Sequence, residues 1–194
     1  MVERAHMSSI LCHIGNPRSA KPESLQAYGK LREQLITGDW TYLSEHDFIR
    51  KVTLEGCPFY QCLFTRDLME LGQEKLCWRK QQFIGMDFDA VDVSVYEMVS
   101  RYSQLGLKPL FSYNSFSHDP NSGLHNYRLV WRVTDSLNDS YDETHAAIKK
   151  MRELSGGLAD KNACSVSRLW QGTRSGVTTY DSCAPSLDVK NLCW

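Results

Sequence analysis

The spacing of apolar side chains changes along the chain from a strand period to a helix period. The stretch "FIGMDFDA", residues 83–90, is an apolar run typical of a buried strand. Beyond it, apolar residues recur at helical spacing until Gly106, namely Val91, Val95, Met98, Val99 and Tyr102. The segments "PLFSYNSFSH" (109–118) and "YRLVWRV" (127–133) predict two further strands, with the turn "DPNSGLHN" between them. A second helix is predicted from Ser140, which forms a capping-box pattern with Glu143, to Gly156-Gly157.

The order strand, helix, strand, strand, helix is that of the ferredoxin-like split motif. It predicts an α+β fold with an RRM-like or ferredoxin-like core and an antiparallel-rich sheet. Before this core, "LQAYGKLREQLI" and "LSEHDFIRKVTLEG" have helical spacing, and "CPFYQCLF" is β-prone. The second of these helices has Ser44 as its predicted cap and Gly56 as its predicted end, with apolar positions Phe48, Ile49, Val52 and Leu54.

The division into domains follows from this order of elements. We expect an N-terminal α/β lobe of residues 1–82, packed on a core of residues 83–180 and followed by a tail of residues 181–194. A chain of 194 residues is long enough for one compact unit of this kind with a substantial apolar interior.

Composition and charge narrow the class of protein only slightly. The chain is 42% hydrophobic and 23% charged, which is ordinary for a globular protein. With 22 Lys and Arg against 23 Asp and Glu, nucleic-acid binding would require a local basic patch rather than an overall basic field. Seven cysteines at irregular spacing predict reduced thiols and a cytoplasmic location. The longest apolar runs are too short to span a bilayer, so we expect no membrane partner.

Two acidic residues, Asp87 and Asp89, lie two positions apart inside the first predicted strand of the core. Side chains at i and i+2 of a strand point to one face, so two carboxylates repel each other there unless a cation lies between them. A pair of solvated carboxylates at a strand end is the ordinary alternative. The apolar strand before them and the helix after them favour a rigid site that could hold a metal ion.

Three further residues have the chemistry such a site requires. His118 ends the second predicted strand, which the expected topology places beside the first. Asp160 follows an apolar Leu-Ala pair in "GLADKNACSVSRLWQGT", and Arg168 precedes a strand-like Leu-Trp pair in the same segment. Each residue alone is typical of an ordinary loop or surface position, and the three gain meaning only in combination with the acidic pair.

Taken in order, "FIGMDFD", "SYNSFSH" and "GLADKNACSVSRLWQGT" resemble the three motifs of the archaeo-eukaryotic primase superfamily. Those motifs are a hydrophobic D-h-D, a small-x-His and a hydrophobic-Asp. The stretch "SFSHDPNSGLHNYRLVWRV" looks most like the primase-polymerase domains of plasmid and phage replication proteins. The resemblance covers residues 83 to about 175, and Phe116 departs from it by standing where a small residue is usual.

The resemblance implies a metal-dependent nucleotidyltransferase, a DNA primase/polymerase that extends or synthesises primers on a DNA template during replication. Family members use two divalent ions, Mg²⁺ or Mn²⁺, and the carried-over ligands are Asp87, Asp89 and Asp160. His118 matches the histidine that contacts the phosphates of the incoming nucleoside triphosphate.

Other binding residues and partners are also predicted. Arg128 and Arg168 are candidates for further phosphate contacts, because a guanidinium matches the geometry of phosphate oxygens. The basic clusters "RKQQ" (79–82) and "KKMR" (149–152) could follow a DNA template, or could be solvated helix and strand faces. The sequence has no G-x-x-x-x-G-K-[ST] P-loop, so a helicase motor would lie on another chain or in another segment.

Several alternatives stay open at this point. A two-metal nuclease uses similar carboxylates, and a non-catalytic replication initiator would only bind origin DNA. Trp131 and Trp170 could stack on a base or fill the core. Cys57, Cys62 and Cys77 could belong to a zinc knuckle, although the sequence offers no obvious fourth ligand.

Overall fold

The computed structural model describes residues 9–65, 74–134 and 140–192, and it has the mixed helices and antiparallel sheet of an α+β protein. The strands are β1 (Ser9–Cys12), β2 (Thr41–Ser44), β3 (Phe59–Tyr60), β4 (Cys62–Phe64), β5 (Trp78–Gln81), β6 (Phe83–Val91), β7 (Phe111–Asn114), β8 (His125–Arg132), β9 (Leu169–Trp170) and β10 (Thr179–Tyr180). The helices are α1 (Leu25–Thr37), α2 (Glu45–Thr53), α3 (Glu74–Cys77), α4 (Val95–Gln104) and α5 (Tyr141–Leu154).

The main sheet has four strands in the order β10-β7-β8-β6, and each neighbouring pair is antiparallel. The expectation that the second strand of the core lies beside the first was therefore wrong, because β8 lies between β6 and β7. The helical connection through α4 leaves room for one strand between β6 and β7. The chain then turns back after β7, and β8 fills this space while pairing with both neighbours.

The two faces of this sheet are covered by different parts of the chain. Alternate residues of β6 point to opposite faces, so Ile84, Met86 and Phe88 pack in the cluster that also contains residues of α4 and α5. Phe83 points the other way, and its ring stacks on Phe48 of α2 with centroids 4.8 Å apart. The N-terminal elements therefore form the second covering layer of the sheet.

Gln61 fastens the N-terminal elements to the free edge of β6. Its main-chain carbonyl accepts hydrogen bonds from the Gln82 and Phe83 amides, at 3.0 Å each. Its side-chain oxygen accepts from the Gly85 amide at 3.0 Å, and its side-chain nitrogen donates to the carbonyl of Ser165 at 2.6 Å. One buried side chain thus satisfies backbone groups that would otherwise form an open sheet edge.

The helix boundaries follow the capping residues in the sequence. Ser140 and Glu143 form the predicted capping box of α5, and Ser44 caps α2 by accepting a hydrogen bond from the Asp47 amide at 3.0 Å. Two details of the predictions were wrong. Val91 ends β6 instead of beginning the next helix, because Ser94 caps α4, and Leu54 is 57% exposed instead of packing in the core.

The division at residues 82 and 180 stays a prediction. Backbone pairing crosses both boundaries, because β3 pairs with β9 and Val133 forms an isolated bridge with Leu187. Within the described ranges, no helix is long and apolar enough to cross a membrane.

Two of the open alternatives concerned buried side chains. Cys57, Cys62 and Cys77 are buried, and burial raises the pKa of Cys57 to about 11 and that of Cys62 well above its ordinary value. Among the residues that the structure describes, no three His, Cys, Asp or Glu side chains are grouped so that they could hold one metal ion, which disfavours the zinc knuckle. Trp131 and Trp170 are 0% and 1% exposed, so both are core residues and neither is available to stack on a base.

Gly85 supplies a test of this packing. A Cβ atom at this position would lie 2.6 Å from Cζ2 and 2.7 Å from Cε2 of the buried Trp170 ring. We expect Gly85→Ala to lower the free energy of unfolding by about 1–3 kcal/mol, because a rigid buried ring cannot move away without disturbing its neighbours. Urea denaturation followed by circular dichroism measures the change.

Gly29, in the interior of α1, is the matched control, because a Cβ atom there would meet no heavy atom within 4 Å. Gly29→Ala should raise the free energy of unfolding by about 0.5–1 kcal/mol through the better helix propensity of alanine. Equal effects of the two substitutions would contradict the close approach of Trp170 to β6.

Candidate active site

A buried ion pair between neighbouring strands lies at the centre of the site. The register of β6 and β8 places Asp87 directly opposite Arg128. The Arg128 Nε donates to Asp87 Oδ1 at 3.0 Å, and Nη2 donates to Oδ2 at 3.1 Å. Both residues are nearly inaccessible, at 4% exposed for Arg128 and 3% for Asp87. The first acid of the D-x-D motif therefore has a fixed orientation and a bound cationic partner.

Aromatic rings and a backbone carbonyl complete the surroundings of Arg128. Its guanidinium carbon lies 5.8 Å from the Tyr113 ring centroid and 5.2 Å from that of Trp170, and Nη1 donates to the Gln171 carbonyl at 2.5 Å. Burial, the largest single influence, lowers the pKa of Arg128, but the charge of Asp87, the Tyr113 hydroxyl and the hydrogen bonds to both raise it by more in sum, so the guanidinium stays charged. Arg128 thus orients Asp87 and does not face open surface, which differs from its expected contact with nucleotide phosphates.

Asp89 lies near the end of β6, where the strand leaves the sheet, and it is exposed to solvent. The ladder to β8 shifts register after Phe88, and Ala90 has a φ of 53°, in the left-handed region. The pKa of Asp89 is raised, most by partial burial of its carboxyl and then by the negative charges of Asp87 and Asp160. The mutual repulsion expected from three clustered carboxylates is therefore felt at Asp89.

Asp160 is joined to the strand that carries the other two acids. Its amide donates to the carbonyl of Asp87 at 2.8 Å. Its Oδ1 accepts a hydrogen bond from the Asn162 amide at 2.9 Å and so caps the short 3-10 helix Lys161–Ala163. Asp160 consequently has a local capping role and, in addition, a carboxylate close enough to Asp89 to raise its pKa.

His118 lies in the turn after β7, not on a strand beside β6 as expected. β7 ends at Asn114 because its pairing with β8 ends there, and the chain then turns with the His118 amide donating to the Ser115 carbonyl at 3.0 Å. The His118 Nδ1 accepts from the Asn126 amide at 3.3 Å. In the neutral ring this leaves the proton on Nε2. The ring stacks on His125, with centroids 6.1 Å apart and planes 13° apart.

Asn126, on β8, connects the His118 turn to the acidic strand. Its Oδ1 accepts from the Ala90 amide at 2.7 Å, directly after Asp89, and its Nδ2 donates to the Ser117 carbonyl at 3.1 Å. Together with the bond from its amide to His118, these contacts bring the second motif to the first. The sequence analysis missed this residue, because an asparagine between a turn and a strand looks like ordinary turn chemistry.

Lys21 is a second residue that the sequence analysis missed. The segment "GNPRSAKPES", residues 15–24, has the composition of an ordinary polar loop. In the structure the Lys21 Nζ donates to Ser117 Oγ at 3.3 Å, beside His118, and its charge lowers the pKa of Asp89 against the larger upward effects. A lysine in a polar loop is too common to indicate a site, and only the tertiary structure brings it there.

The remaining predicted cations are placed as follows. Arg168 is half-buried, and its Nη1 donates to the Asn162 carbonyl at 3.4 Å, close to the Asp160 turn. In the "KKMR" cluster, Arg152 holds the carbonyls of Ala159 and Gly157, and Lys150 pairs with Glu153 at 3.6 Å. Arg152 therefore supports the end of α5 and Lys150 is paired, whereas Lys149 is exposed.

No three His, Cys, Asp or Glu side chains of the described ranges are arranged as ligands for one metal ion. Arg128 already neutralises Asp87, so Asp89 and Asp160 are the carboxylates whose charges are not balanced in this way. Two carboxylates fit Mg²⁺ or Mn²⁺, because such an ion keeps several waters and completes its shell with substrate phosphates.

Comparison with known proteins gives one structural likeness. No protein-family model and no curated protein matches the sequence. The fold is similar to the AEP domain of the primase-polymerase of cyanophage S-2L, with a TM-score of 0.47 and 12% sequence identity. The alignment covers 96% of this chain and 87% of that domain.

The Asp87–Arg128 pair leads to a stability prediction. Arg128→Met should lower the free energy of unfolding by about 3–5 kcal/mol at pH 7, because it leaves Asp87 buried and charged without a partner. The double variant Asp87→Asn/Arg128→Met should recover part of this loss. Urea denaturation of the four proteins in the cycle gives the coupling free energy.

Arg101 provides the control, because its ion pair with Glu97 at 2.7 Å lies on the exposed side of α4. Arg101→Met should change the free energy of unfolding by no more than about 0.5 kcal/mol. A similar result for Arg128→Met would show that the buried pair contributes no more than a surface pair.

The raised pKa of Asp89 predicts a pH dependence. The folded state binds the Asp89 proton more tightly than the unfolded state, so ionised Asp89 destabilises the fold at neutral pH. Asp89→Asn should therefore stabilise the metal-free protein at pH 7, by less than about 1 kcal/mol because the residue is solvent-screened. This gain should vanish as the pH falls through the raised pKa towards the ordinary Asp value of about 3.9. Thermal melts of the wild type and of Asp89→Asn in EDTA, at pH 7 and at a pH of about 3.9, test this prediction. An equal gain in stability at the two pH values would contradict it.

Proposed function

We propose that this chain is a metal-dependent nucleotidyltransferase of the primase-polymerase type, which adds nucleotides to a primer on a DNA template. In this proposal residues 83–180 form an RRM-like, or ferredoxin-like, catalytic core. The order β6-α4-β7-β8-α5, with β8 between β6 and β7 and both helices packed in one cluster, supports that description.

The observation that carries the proposal is the hydrogen bond from the Asp160 amide to the Asp87 carbonyl, 2.8 Å long. Asp160 and the D-x-D pair are far apart in sequence, and the motif order alone suggested that they cooperate. This bond lies beside β6 and accompanies an electrostatic effect of Asp160 on Asp89. This arrangement favours a cation site, because a bound divalent ion relieves the electrostatic repulsion between neighbouring carboxylates.

Each acid has a separate role in the proposal. Asp89 and Asp160 would supply the main ligands of two divalent ions, Mg²⁺ or Mn²⁺, and Asp87 would add a carboxylate oxygen whose direction Arg128 fixes. When bound, two such ions lower the pKa of the attacking 3′-hydroxyl and neutralise charge on the leaving pyrophosphate. The chain itself contributes a rigid strand for Asp87, so that its carboxylate needs no reorganisation when substrate binds.

The His118 turn is proposed to bind the phosphates of the incoming nucleoside triphosphate. The Asn126 amide occupies Nδ1 of His118, so Nε2 is left to donate a hydrogen bond to a phosphate oxygen. Lys21 adds a positive charge at Ser117, one residue away, and Arg168 adds another beside Asn162. Charged donors such as Lys21 and Arg168 form shorter and stronger hydrogen bonds to phosphate oxygens than neutral donors do.

Replacing Asp160 tests the proposal directly. Asp160→Asn keeps an oxygen that can accept from the Asn162 amide, so the cap and the melting temperature should be retained. It removes one charge and a metal ligand, so primer extension with Mn²⁺ and deoxynucleotides should fall by about 100-fold or more. A labelled primer on a DNA template, resolved by gel electrophoresis, measures the extension.

Asp160→Ala is the companion variant, because it removes the cap together with the charge and should also lose about 1 kcal/mol of stability. An Asp160→Asn variant that extends primers as well as the wild type would remove Asp160 from the catalytic site. Shortening of the labelled primer by the wild type would instead identify a nuclease. DNA binding without any metal-dependent binding of nucleotide would identify a replication initiator.

A further inference from the structure

A pocket lined by three cationic side chains adjoins the candidate active site. It is open, has a volume of about 520 Å³, and is lined by the loop 17–23, by Ala27 and by Arg174. The charged side chains on its wall are Arg18, Lys21, Arg174 and Glu23. The local excess of positive charge contrasts with the net charge of −1 of the whole chain. Such a wall favours an anionic ligand.

The two arginines have charge available for a ligand. Neither Arg18 nor Arg174 forms a salt bridge within the described residues. The Arg18 Nε is shielded from solvent and has no hydrogen-bond partner among them. A guanidinium without a carboxylate partner has N–H donors available, and an oxyanion in the pocket would accept hydrogen bonds from those that face it.

The backbone holds both arginines in place from a shared support, the C-terminal end of α2. The Arg18 amide donates to the Glu55 carbonyl at 3.2 Å, and the Arg18 carbonyl packs so closely on Gly56 that a Cβ there would lie 2.1 Å from it. Thr173 and Gly176 flank Arg174 in the sequence, and their amides donate to the carbonyls of Val52 and Thr53, at 2.8 and 2.9 Å respectively. The pocket is therefore built before a ligand arrives, which reduces the entropy lost on binding.

Lys21 joins this pocket to the site of the proposed reaction. Its Nζ donates to Ser117 Oγ beside His118, and its charge acts on Asp89. Ser175, next to Arg174, donates to the carbonyl of Asn114 at the end of β7 at 3.3 Å. The cationic wall of the pocket therefore adjoins the His118 turn and the end of β7.

We propose that Arg18, Lys21 and Arg174 form a phosphate-binding subsite that holds a substrate phosphate beyond the one contacted at His118. The ligand chemistry is a phosphate oxyanion, which either the triphosphate of a nucleotide or the backbone of a DNA strand can supply. The subsite rests on the proposed function for its substrate class. Arg18 and Lys21 come from the N-terminal loop, and Arg174 directly follows the third sequence motif.

The test uses Arg18→Gln and Arg174→Gln, each compared with the wild type and with Arg101→Gln. Arg101 is a matched control, because it is an exposed arginine on α4, on the opposite face of the sheet. Two probes distinguish the sources of phosphate: dATP with Mn²⁺, measured by calorimetry, and a fluorescent single-stranded oligonucleotide, measured by anisotropy over a range of salt concentrations. Thermal melts confirm that each variant is folded.

We expect both pocket variants to weaken binding of at least one probe by roughly 5- to 20-fold, as the loss of a charge-assisted phosphate contact implies. Weakening for dATP alone assigns the subsite to the triphosphate. Weakening for the oligonucleotide, with a salt slope reduced by about 0.7, assigns it to a strand phosphate. Glu23→Gln should act in the opposite direction and tighten binding of the same probe.

Unchanged affinity for both probes in both folded variants, or an equal loss in Arg101→Gln, would overturn the subsite. This failure is distinct from failure of the proposed function, which primer extension by the wild type decides. If the wild type extends primers and the pocket variants bind normally, the function stands and the subsite falls. If binding is lost but no extension occurs, the subsite stands and the enzymatic proposal falls.

Discussion

The buried pairing of Asp87 with Arg128 is the interaction on which the rest of the site depends. A buried carboxylate on β6 is tolerated because a guanidinium on the neighbouring strand β8 binds both of its oxygens. The guanidinium in turn requires the Gln171 carbonyl and the Trp170 ring, which belong to a segment that follows Asp160. One pair of charges therefore links β6 and β8 to the segment that carries the third acid.

Much of the fold could be predicted because its local signals agree with its tertiary packing. The capping box of α5, the cap of α2 and the apolar strand at residues 83–88 are short-range features that the sequence states directly. The order of strands in the sheet could not be predicted in the same way. Whether β8 pairs with β6 depends on contacts between segments distant in sequence, and both faces of β8 are apolar enough to suit more than one position.

The candidate site likewise combines residues that the sequence reveals with residues that only the tertiary structure reveals. The acidic residues were visible from the sequence, because carboxylates in an apolar strand are unusual. The polar residues around them were not. Lys21 lies in a polar loop, Asn126 is near the start of a strand that follows a turn, and Gln61 lies between two short strands, all positions where a polar residue is common. The expectation for Arg128 also shows this limit. An arginine on a strand suits a phosphate ligand and a buried carboxylate equally well, and only the register of β6 against β8 distinguishes them.

The way Gln61 covers the edge of β6 bears on how the protein can be divided. A fragment that began at residue 83 would keep every sequence motif but lose the side chain that occupies the Gly85 amide. It would also uncover Phe83 and the apolar face that now packs on Phe48. Such a fragment would present the outer edge of β6 without hydrogen-bond partners, beside exposed aromatic surface. This combination promotes edge-to-edge association between molecules. The N-terminal segment thus protects the strand that carries the acids from association with other molecules.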